Sequence, residues 1–252
     1  MCLVVFAWNV HPEYRLILAA NRDEFHERPA QEMHWWPDQP DILAGRDLQA
    51  GGTWLAAAKG GRFATVTNYR EPDGPRGKPR SRGELVSDFV GGNASPGQFS
   101  AAIEGDRYAG FSLLTADSNE LSYVSNRGDK PTSLANGVYG LSNASLDTPW
   151  PKLVRARDGL SALVSNAAVN ESELLRLMED RQMATAAEVG NDSLPFELAR
   201  AISAPFILTP DYGTRCTSTL LWSYDEKILL TEKRFDANGN ASGESRFSFK
   251  AT

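Results

Sequence analysis

The sequence predicts an α+β fold in which two antiparallel β-sheets are layered with helices. Predicted strands and predicted helices alternate in blocks along the 252 residues, beginning and ending with strands. Neighbouring strands are separated by short turns, which favours hairpins and therefore antiparallel pairing. Helices grouped between strand blocks are typical of layered α+β architectures. The chain has no internal repeat and no evident linker, so a single domain over residues 1–252 is expected.

The first 25 residues are predicted to form a β-hairpin. Residues 3–8 and 14–20 are apolar runs rich in β-branched and aromatic side chains, and His11-Pro12 lies between them. A hairpin brings the end of its second strand back to the start of its first. We therefore expect the polar stretch 21–24 (Asn-Arg-Asp-Glu) to lie close to Cys2.

Two of the next three segments are predicted to lack regular structure. Residues 26–52 are rich in Pro, Asp, Gly and Trp and are predicted to be irregular. Residues 53–58 and 62–67 are predicted to form a second hairpin. Residues 71–83 contain three prolines and three glycines, which exclude a regular helix or strand.

The rest of the chain supplies two helical blocks and two strand blocks. Cap residues and apolar periodicity predict helices over residues 83–90, 150–164, 170–181 and 195–202, and from Ser95-Pro96 to near Gly105. Strands are predicted over residues 110–116, 121–126, 137–143, 216–224, 227–235 and 245–250.

The composition excludes several classes of protein. A net charge of −6 argues against a general nucleic-acid binder. No apolar run approaches the roughly 20 residues that span a bilayer, so no membrane span is expected. The first residues lack the features of a signal peptide, which predicts a cytoplasmic location. Cys2 and Cys216 are the only cysteines, so neither a disulfide framework nor a Cys-rich metal site is expected. A small molecule is the expected partner, and the oligomeric state is left open.

Cys2 is the strongest candidate for a catalytic residue. Removal of Met1, which a small residue at position 2 permits, would give Cys2 both a thiol and an α-amine. The α-amine has a pKa of about 7.7–8.0 and can accept the proton of the thiol, whose pKa is about 8.5. Arg22 would favour the thiolate, and Asp23 could orient the ammonium group. This chemistry requires no cofactor and no catalytic histidine.

Several other residues have two interpretations each. Asn68 and Asn143 follow predicted strands and could donate hydrogen bonds to an oxyanion, or they could simply be turn residues. Arg215 alone is an arginine at the start of a strand, and Cys216 could be a small buried apolar residue. The basic stretch formed by Arg70, Arg76, Lys78, Arg80 and Arg82 is either a solvated loop or a flap that holds an anionic group.

Seven blocks occur in the order typical of one known family. They are Met1-Cys2; 20–25 (Ala-Asn-Arg-Asp-Glu-Phe) with Arg28-Pro29; 51–54 (Gly-Gly-Thr-Trp); 67–70 (Thr-Asn-Tyr-Arg); 81–83 (Ser-Arg-Gly); 139–143 (Tyr-Gly-Leu-Ser-Asn); and 212–218 (Tyr-Gly-Thr-Arg-Cys-Thr-Ser). In these blocks the chain resembles the NRDE, or transport and Golgi organisation 2, family. That family is similar in turn to the N-terminal nucleophile (Ntn) hydrolases of the choloylglycine and penicillin V acylase type. The resemblance implies a four-layer αββα sandwich.

The resemblance also implies roles for individual residues. Cys2 would be the nucleophile and base, with Arg22 and Asp23 as its partners, although the acylases place their arginine and aspartate three residues apart. Asn68 and Asn143 would match the two asparagines near the oxyanion, and Arg215 the arginine late in the chain. The remaining candidates, for substrate binding, are Asn21, Trp54, Tyr69, Arg70 and Arg82. The implied activity is cleavage of an amide, ester or thioester of a small anionic or acyl substrate.

An alternative function follows from the same resemblance. Eukaryotic members of the family are associated with haem mobilisation and with lipid or acyl-CoA metabolism, which implies a non-catalytic protein that binds haem or an acyl lipid on the same fold. Trp35-Trp36 and the basic residues 76–82 suit an amphipathic anionic ligand, although the tryptophans could equally serve packing. The chain has no haem-attachment motif, so haem would be a labile ligand.

Overall fold

Two antiparallel sheets form the centre of the computed structural model, which describes residues 2–71, 80–128, 130–189 and 194–252. The first sheet contains, in spatial order, β10 (Gly137–Leu141), β1 (Cys2–Trp8), β2 (Tyr14–Phe25), β11 (Tyr212–Ser223), β12 (Lys227–Phe235) and β13 (Ala241–Lys250). The second contains β3 (Ala30–Trp36), β4 (Gln39–Asp47), β5 (Leu55–Ala58), β6 (Arg62–Asn68), β7 (Phe111–Ala116), β8 (Leu121–Ser125) and β9 (Thr132–Ser133).

Helices cover the outer face of each sheet. The helices are α1 (Arg82–Val90), α2 (Pro96–Ala102), α3 (Pro151–Ser165), α4 (Glu171–Met178), α5 (Ala186–Val189) and α6 (Phe196–Ala201), with a 3₁₀ turn at Gly105–Arg107. Helices α1 and α2 lie against the second sheet, whereas α3 and α4 lie against the first. The order of layers is therefore helix, sheet, sheet, helix, and the predicted αββα architecture is confirmed.

Strand β1 shows how the layers are built, because every residue in it is buried. Val4, Phe6 and Trp8 belong to the apolar cluster between the two sheets. Leu3 and Val5 belong to the cluster beneath α3 and α4. Alternate side chains of a strand point to opposite faces, so one apolar run serves two separate cores.

Most of the predicted elements are present, with shifted boundaries. The first hairpin pairs β1 with β2, and the second pairs β5 with β6. Strand β11 begins at Tyr212 and β13 at Ala241, each four residues before the predicted start. The prediction for residues 71–83 falls largely on residues 72–79, which lie outside the described ranges. The short elements β9 and α5 have no counterpart in the prediction.

The prediction that residues 26–52 are irregular is wrong. They contain β3 and β4, which pair with each other and lie at one edge of the second sheet. The β3–β4 ladder has register shifts near His34 and again between Trp35 and Trp36. An edge strand tolerates such shifts and nearby prolines, since one side of its hydrogen-bonding ladder is not needed. Pro29 precedes the edge strand β3 and Pro37 lies in the turn after it, whereas Pro40 lies in β4 at a position without a paired residue in β3 or β5.

Two of the glycine-containing blocks meet through their backbones. A Cβ atom on Gly52 would lie 2.6 Å from the carbonyl carbon of Gly83, in the first turn of α1. The Thr53 amide donates to the Gly83 carbonyl at 3.4 Å. This close approach fixes the start of α1, and with it Arg82, beside the segment that leads into β5.

We expect Gly52→Ala to lower the free energy of unfolding by about 1–3 kcal/mol, because the new methyl group would overlap backbone atoms that cannot rotate away. Gly60→Ala is the matched control, since a methyl group added there would meet no atom within 4 Å. The control should change stability by no more than about 0.5 kcal/mol. Urea denaturation measures both, and equal stabilities of the two variants would contradict the argument.

Candidate functional site

A cavity of about 610 Å³ lies where the two sheets and α1 come together. Its walls include Cys2 and Arg22 from the first sheet, Asn68 from the second, and Arg82 from α1. Cavities that bind small molecules are typically about 300–1,000 Å³. This cavity is therefore the candidate functional site.

The register of three strands places two thiols on either side of one guanidinium group. Cys2 on β1 pairs with Arg22 on β2, and Arg22 pairs with Cys216 on β11. Directly paired residues in antiparallel strands project to the same face. All three line the cavity. The two cysteines are separated by two strand spacings, about 10 Å, which is too far for a disulfide.

The Cys2 thiol is buried in the wall of the main cavity. It is 9% exposed, and burial raises its pKa above the usual value. The positive charge of the chain's N-terminus, the charge of Arg22 and a hydrogen bond from the Asp23 backbone lower this pKa, but by less than burial raises it. A nucleophilic thiolate at this position therefore needs a base that removes the proton during the reaction.

The Arg22 guanidinium is positioned by a long ion pair with Asp47, at a distance greater than that of a hydrogen bond. Its Nη2 lies 3.9 Å from Asp47 Oδ2, and its side chain is 11% exposed. Asp47 is already engaged by Arg28, whose Nε lies 2.7 Å from the same oxygen. Asp47 also accepts from the backbone amides of Gln49 and Ala50. The guanidinium of Arg22 is thus available to an anionic group in the cavity.

The Asp23 carboxylate lies on the opposite face of β2 from Arg22 and is almost completely buried. Its Oδ1 accepts a hydrogen bond from the Thr214 hydroxyl at 2.8 Å, and its Oδ2 lies 3.9 Å from Lys152 Nζ. Burial raises the pKa of Asp23 and lowers the pKa of Lys152, while the attraction between the two charges opposes both shifts. Lys152 is a residue of the site that the sequence did not indicate.

A β-bulge brings Arg215 and Cys216 to the same cavity. Regular alternation predicts that Cys216 faces away if Arg215 faces the site. The register between β2 and β11 shifts between Thr214 and Cys216, so Arg215 is the extra residue, and both side chains line the cavity. Side chains do not alternate regularly at this point because a bulge inserts one unpaired residue.

Arg215 and Cys216 both have structural partners. Arg215 Nη1 donates to the carbonyl oxygens of Phe25 and His26, each at 2.9 Å, and so holds the turn that follows β2. Burial raises the pKa of the Cys216 thiol, and its hydrogen bond to Glu232 raises it further. Cys216 is therefore less able than Cys2 to form a thiolate.

The two candidate oxyanion asparagines occupy different positions. Asn68 lines the cavity at the end of β6. Asn143 has a φ of 53°, and its Nδ2 donates to the backbone oxygen of Asn68 at 3.0 Å. Asn143 lines a second cavity on the helix side of the first sheet. Of the two side chains, Asn68 is better placed to donate to a substrate in the main cavity.

The five candidate substrate-binding residues do not all lie in one cavity. Trp54 and Arg82 line the main cavity, and Arg82 Nη1 donates to the Gly110 carbonyl at 3.0 Å. Arg70 lines the second cavity, and Tyr69 is in neither lining. Asn21 is fully buried on the helix side, where its amide donates to the carbonyls of Met178 and Pro205 and accepts from Thr217.

The main cavity is rich in arginine. Seven arginines and five acidic residues line it among the residues that the structure describes. The arginines are Arg22, Arg28, Arg46, Arg80, Arg82, Arg215 and Arg234. Of the predicted basic stretch, Arg80 and Arg82 are in this lining, whereas Arg76 and Lys78 fall outside the described residues. Arg46 and Arg80 form ion pairs with Asp38 and Glu84, which lie outside this lining. The guanidinium groups of Arg22 and Arg82 are therefore the ones that favour an anionic ligand.

Asp47, Glu232 and Lys152 are site residues that sequence reasoning does not reveal. Asp47 ends a strand in a segment whose composition predicts irregular structure, and Glu232 looks like any polar residue of an alternating strand. A weak signal exists for Lys152. It occupies the first turn of α3, where the helix dipole disfavours a positive charge.

Two further features are absent from the described residues. No group of three or more His, Cys, Asp or Glu side chains among them has a geometry that could hold a metal ion. No helix in the same ranges is both long enough and apolar enough to cross a bilayer.

Solved structures with the same fold are Ntn hydrolases. The Caenorhabditis elegans orthologue of N-acylethanolamine-hydrolyzing acid amidase superposes with a TM-score of 0.52 at 10% identity, covering 87% of this chain and 92% of its own. A variant of conjugated bile acid hydrolase from Clostridium perfringens also gives 0.52 at 10% identity, covering 100% and 97%. At these identities the similarity shows the fold alone.

Sequence relatives identify the family. Transport and Golgi organization protein 2 homologs from Bos taurus and Homo sapiens are 35% and 34% identical to this chain, and each comparison covers 92% of both sequences. The sequence profile described as Transport and Golgi organisation 2 matches residues 1–237. The chain therefore belongs to the transport and Golgi organisation 2 family and has the fold of the Ntn hydrolases.

Proposed function

We propose that this protein is an N-terminal cysteine hydrolase that cleaves an amide, ester or thioester bond of a small anionic or acyl substrate. The observation that carries the proposal is the position of Cys2, at the first residue of a central strand and in the wall of a 610 Å³ cavity beside Arg22. The proposal requires removal of Met1, which lies outside the described residues.

The α-amine of Cys2 would act as the base. It would take the proton from the thiol as the sulfur attacks the carbonyl carbon, and a tetrahedral intermediate with a negatively charged oxygen would form. The ammonium group would then return the proton to the leaving nitrogen, oxygen or sulfur. Water would attack the resulting thioester and release the acid, again with the α-amine as base.

Other residues of the site have supporting roles in this proposal. The Asn68 amide would donate to the developing oxyanion, a contribution worth a few kcal/mol when the donor is well aligned. Asp23 would orient the ammonium group through its buried carboxylate. Arg22 would bind an anionic group of the substrate or stabilise the thiolate, since its only carboxylate partner among the described residues is 3.9 Å away.

A second candidate function is non-catalytic binding of an anionic amphipathic ligand such as haem or an acyl lipid. The guanidinium groups of Arg22 and Arg82 favour it, as do the apolar side chains of Trp54, Phe25 and Val66 in the same lining. The lining fits haem iron poorly, because the described part of it contains no histidine or methionine and both of its thiols have raised pKa values. The cavity therefore suits the anionic part of such a ligand better than an iron ligand.

The mass of the untagged protein tests the first requirement. Loss of one methionine would leave Cys2 with a free α-amine, as the hydrolase proposal needs. Retention of Met1 would remove the proposed base and favour the binding function.

We expect Cys2→Ala to lower turnover at least about 1,000-fold on any substrate found by screening amides, esters and thioesters, because it removes the nucleophile. Cys216→Ala is the matched control and should keep most of the activity, since its thiol is tied to Glu232. Both variants should unfold at urea concentrations close to that of the unsubstituted protein, which would show that the loss of activity is not a loss of folding. Turnover that survives in Cys2→Ala would refute the proposed nucleophile.

The pH dependence of alkylation tests the environment of Cys2. In the chain that carries Met1, burial raises the pKa of this thiol, so in that form its thiolate fraction should reach one half at a pH above the value of about 8.5 for an unperturbed cysteine. The rate of iodoacetamide addition to Cys2, followed by mass spectrometry from mildly acidic to alkaline pH in a Cys216→Ser background, gives the midpoint. An alkylation midpoint at a lower pH than that of an unperturbed cysteine would contradict a pKa raised by burial.

Haem titration tests the alternative. Given a cavity without a described histidine or methionine ligand, we expect no saturable Soret shift at one equivalent of haem. A saturable shift that Cys2→Ala abolishes would show thiolate ligation and would overturn this expectation.

A further inference from the structure

A second, smaller cavity lies behind the main site, on the helix side of the first sheet. Its volume is about 180 Å³, and none of its lining residues belongs to the lining of the main cavity. The walls come from the loop after β10, the first turn of α3, and helices α5 and α6. A water molecule occupies about 30 Å³ in the liquid, so the space suits a few waters or one small organic molecule.

Two buried donors in this lining have no acceptor among the residues that the structure describes. They are Nζ of Lys152 and the indole Nε1 of Trp150. The Lys152 side chain is 6% exposed, and its nearest carboxylate oxygen, on Asp23, is 3.9 Å away. That distance allows attraction but exceeds a hydrogen bond. A buried ammonium group that lacks hydrogen bonds is costly, which indicates that an acceptor belongs beside it.

The start of α3 adds a second reason to expect an anion. Trp150 is its N-cap and makes no capping hydrogen bond through its side chain. Pro151 has no N–H and the Leu153 amide donates to the Trp150 carbonyl, so this helix start attracts an anion through its dipole, which is positive at this end. Pro151 and Lys152, in the first turn, both line the cavity. A positive dipole at this position stabilises a nearby carboxylate or phosphate.

The charges and the apolar surface of the cavity limit the class of ligand that it can bind. Arg70 lies over the Trp150 ring at 4.9 Å, and Glu188 is the one carboxylate in this lining among the residues that the structure describes. The other walls include Val189 and Ile202. A short alkyl chain would contact these apolar side chains, whereas a phosphate ion would not.

We propose that this second cavity binds a small organic carboxylate, with Lys152 Nζ and the Trp150 indole as donors. Lys152 would then bridge the ligand and Asp23. A bound carboxylate would change the electrostatic environment of Asp23, whose backbone contacts the Cys2 thiol. The site does not depend on turnover at Cys2, so the proposed hydrolase activity and this binding site can fail separately.

The test is an NMR titration of the ¹⁵N-labelled full chain, with the Trp150 indole signal assigned from Trp150→Phe. Addition of sodium butyrate should change the chemical shift of this signal, and the change should saturate as the site fills. Lys152→Met should weaken the binding about tenfold or more, the usual effect of removing a charged hydrogen-bond partner. Lys227→Met, which removes an exposed lysine elsewhere, is the matched control and should leave the affinity unchanged.

Four results would overturn the proposal. In three of them the Trp150 indole signal does not shift with butyrate, shifts equally with neutral butyramide, or shifts with inorganic phosphate but not with butyrate. The fourth is an unchanged affinity for butyrate in Lys152→Met. The first would mean that the cavity holds water only. If Lys152→Met does not fold, calorimetry on Trp150→Phe replaces it. We expect that variant to bind butyrate about tenfold more weakly, and an unchanged affinity would refute the role of the indole.

Discussion

The pairing of β1, β2 and β11 is the constraint on which the rest of the site depends. It sets Cys2, Arg22 and Cys216 in one row on the inner face of the first sheet. A slip of one residue in either ladder would move a whole set of side chains to the opposite face. Buried apolar side chains on both faces of β1 oppose such a slip, so the packing that stabilises the fold also holds the thiol in the cavity.

Much of the architecture can be predicted from the sequence because its signals are local. Two apolar runs around His11-Pro12 predict the first hairpin, and the hairpin places Cys2 next to the stretch that contains Arg22. Alternation along β2 also explains why Asn21 and Asp23 face the helices while Arg22 faces the cavity. The family blocks supply the remaining candidates, and the structure brings Asn68 and Arg82 into the same lining as Cys2.

The features that the sequence does not reveal depend on contacts between distant segments. The bulge at Arg215 is defined only by the register with β2, and neither the bulged residue nor its two chain neighbours is a glycine or a proline. Lys152 reaches Asp23 from a distant part of the sequence, and only the packing of α3 on the first sheet brings them together. The prolines of residues 26–52 mislead a sequence-based prediction because proline is common both in loops and at sheet edges.

The position of two thiols around one guanidinium has a practical consequence for chemical labelling. An electrophile that enters the main cavity meets sulfur on both sides of Arg22. Selectivity between Cys2 and Cys216 then comes from the ease of deprotonation and from the reach of the reagent, because both sulfurs share one solvent space. A short reagent would react mainly with Cys2, whereas a bifunctional reagent of about 10 Å could crosslink the two strands that flank β2.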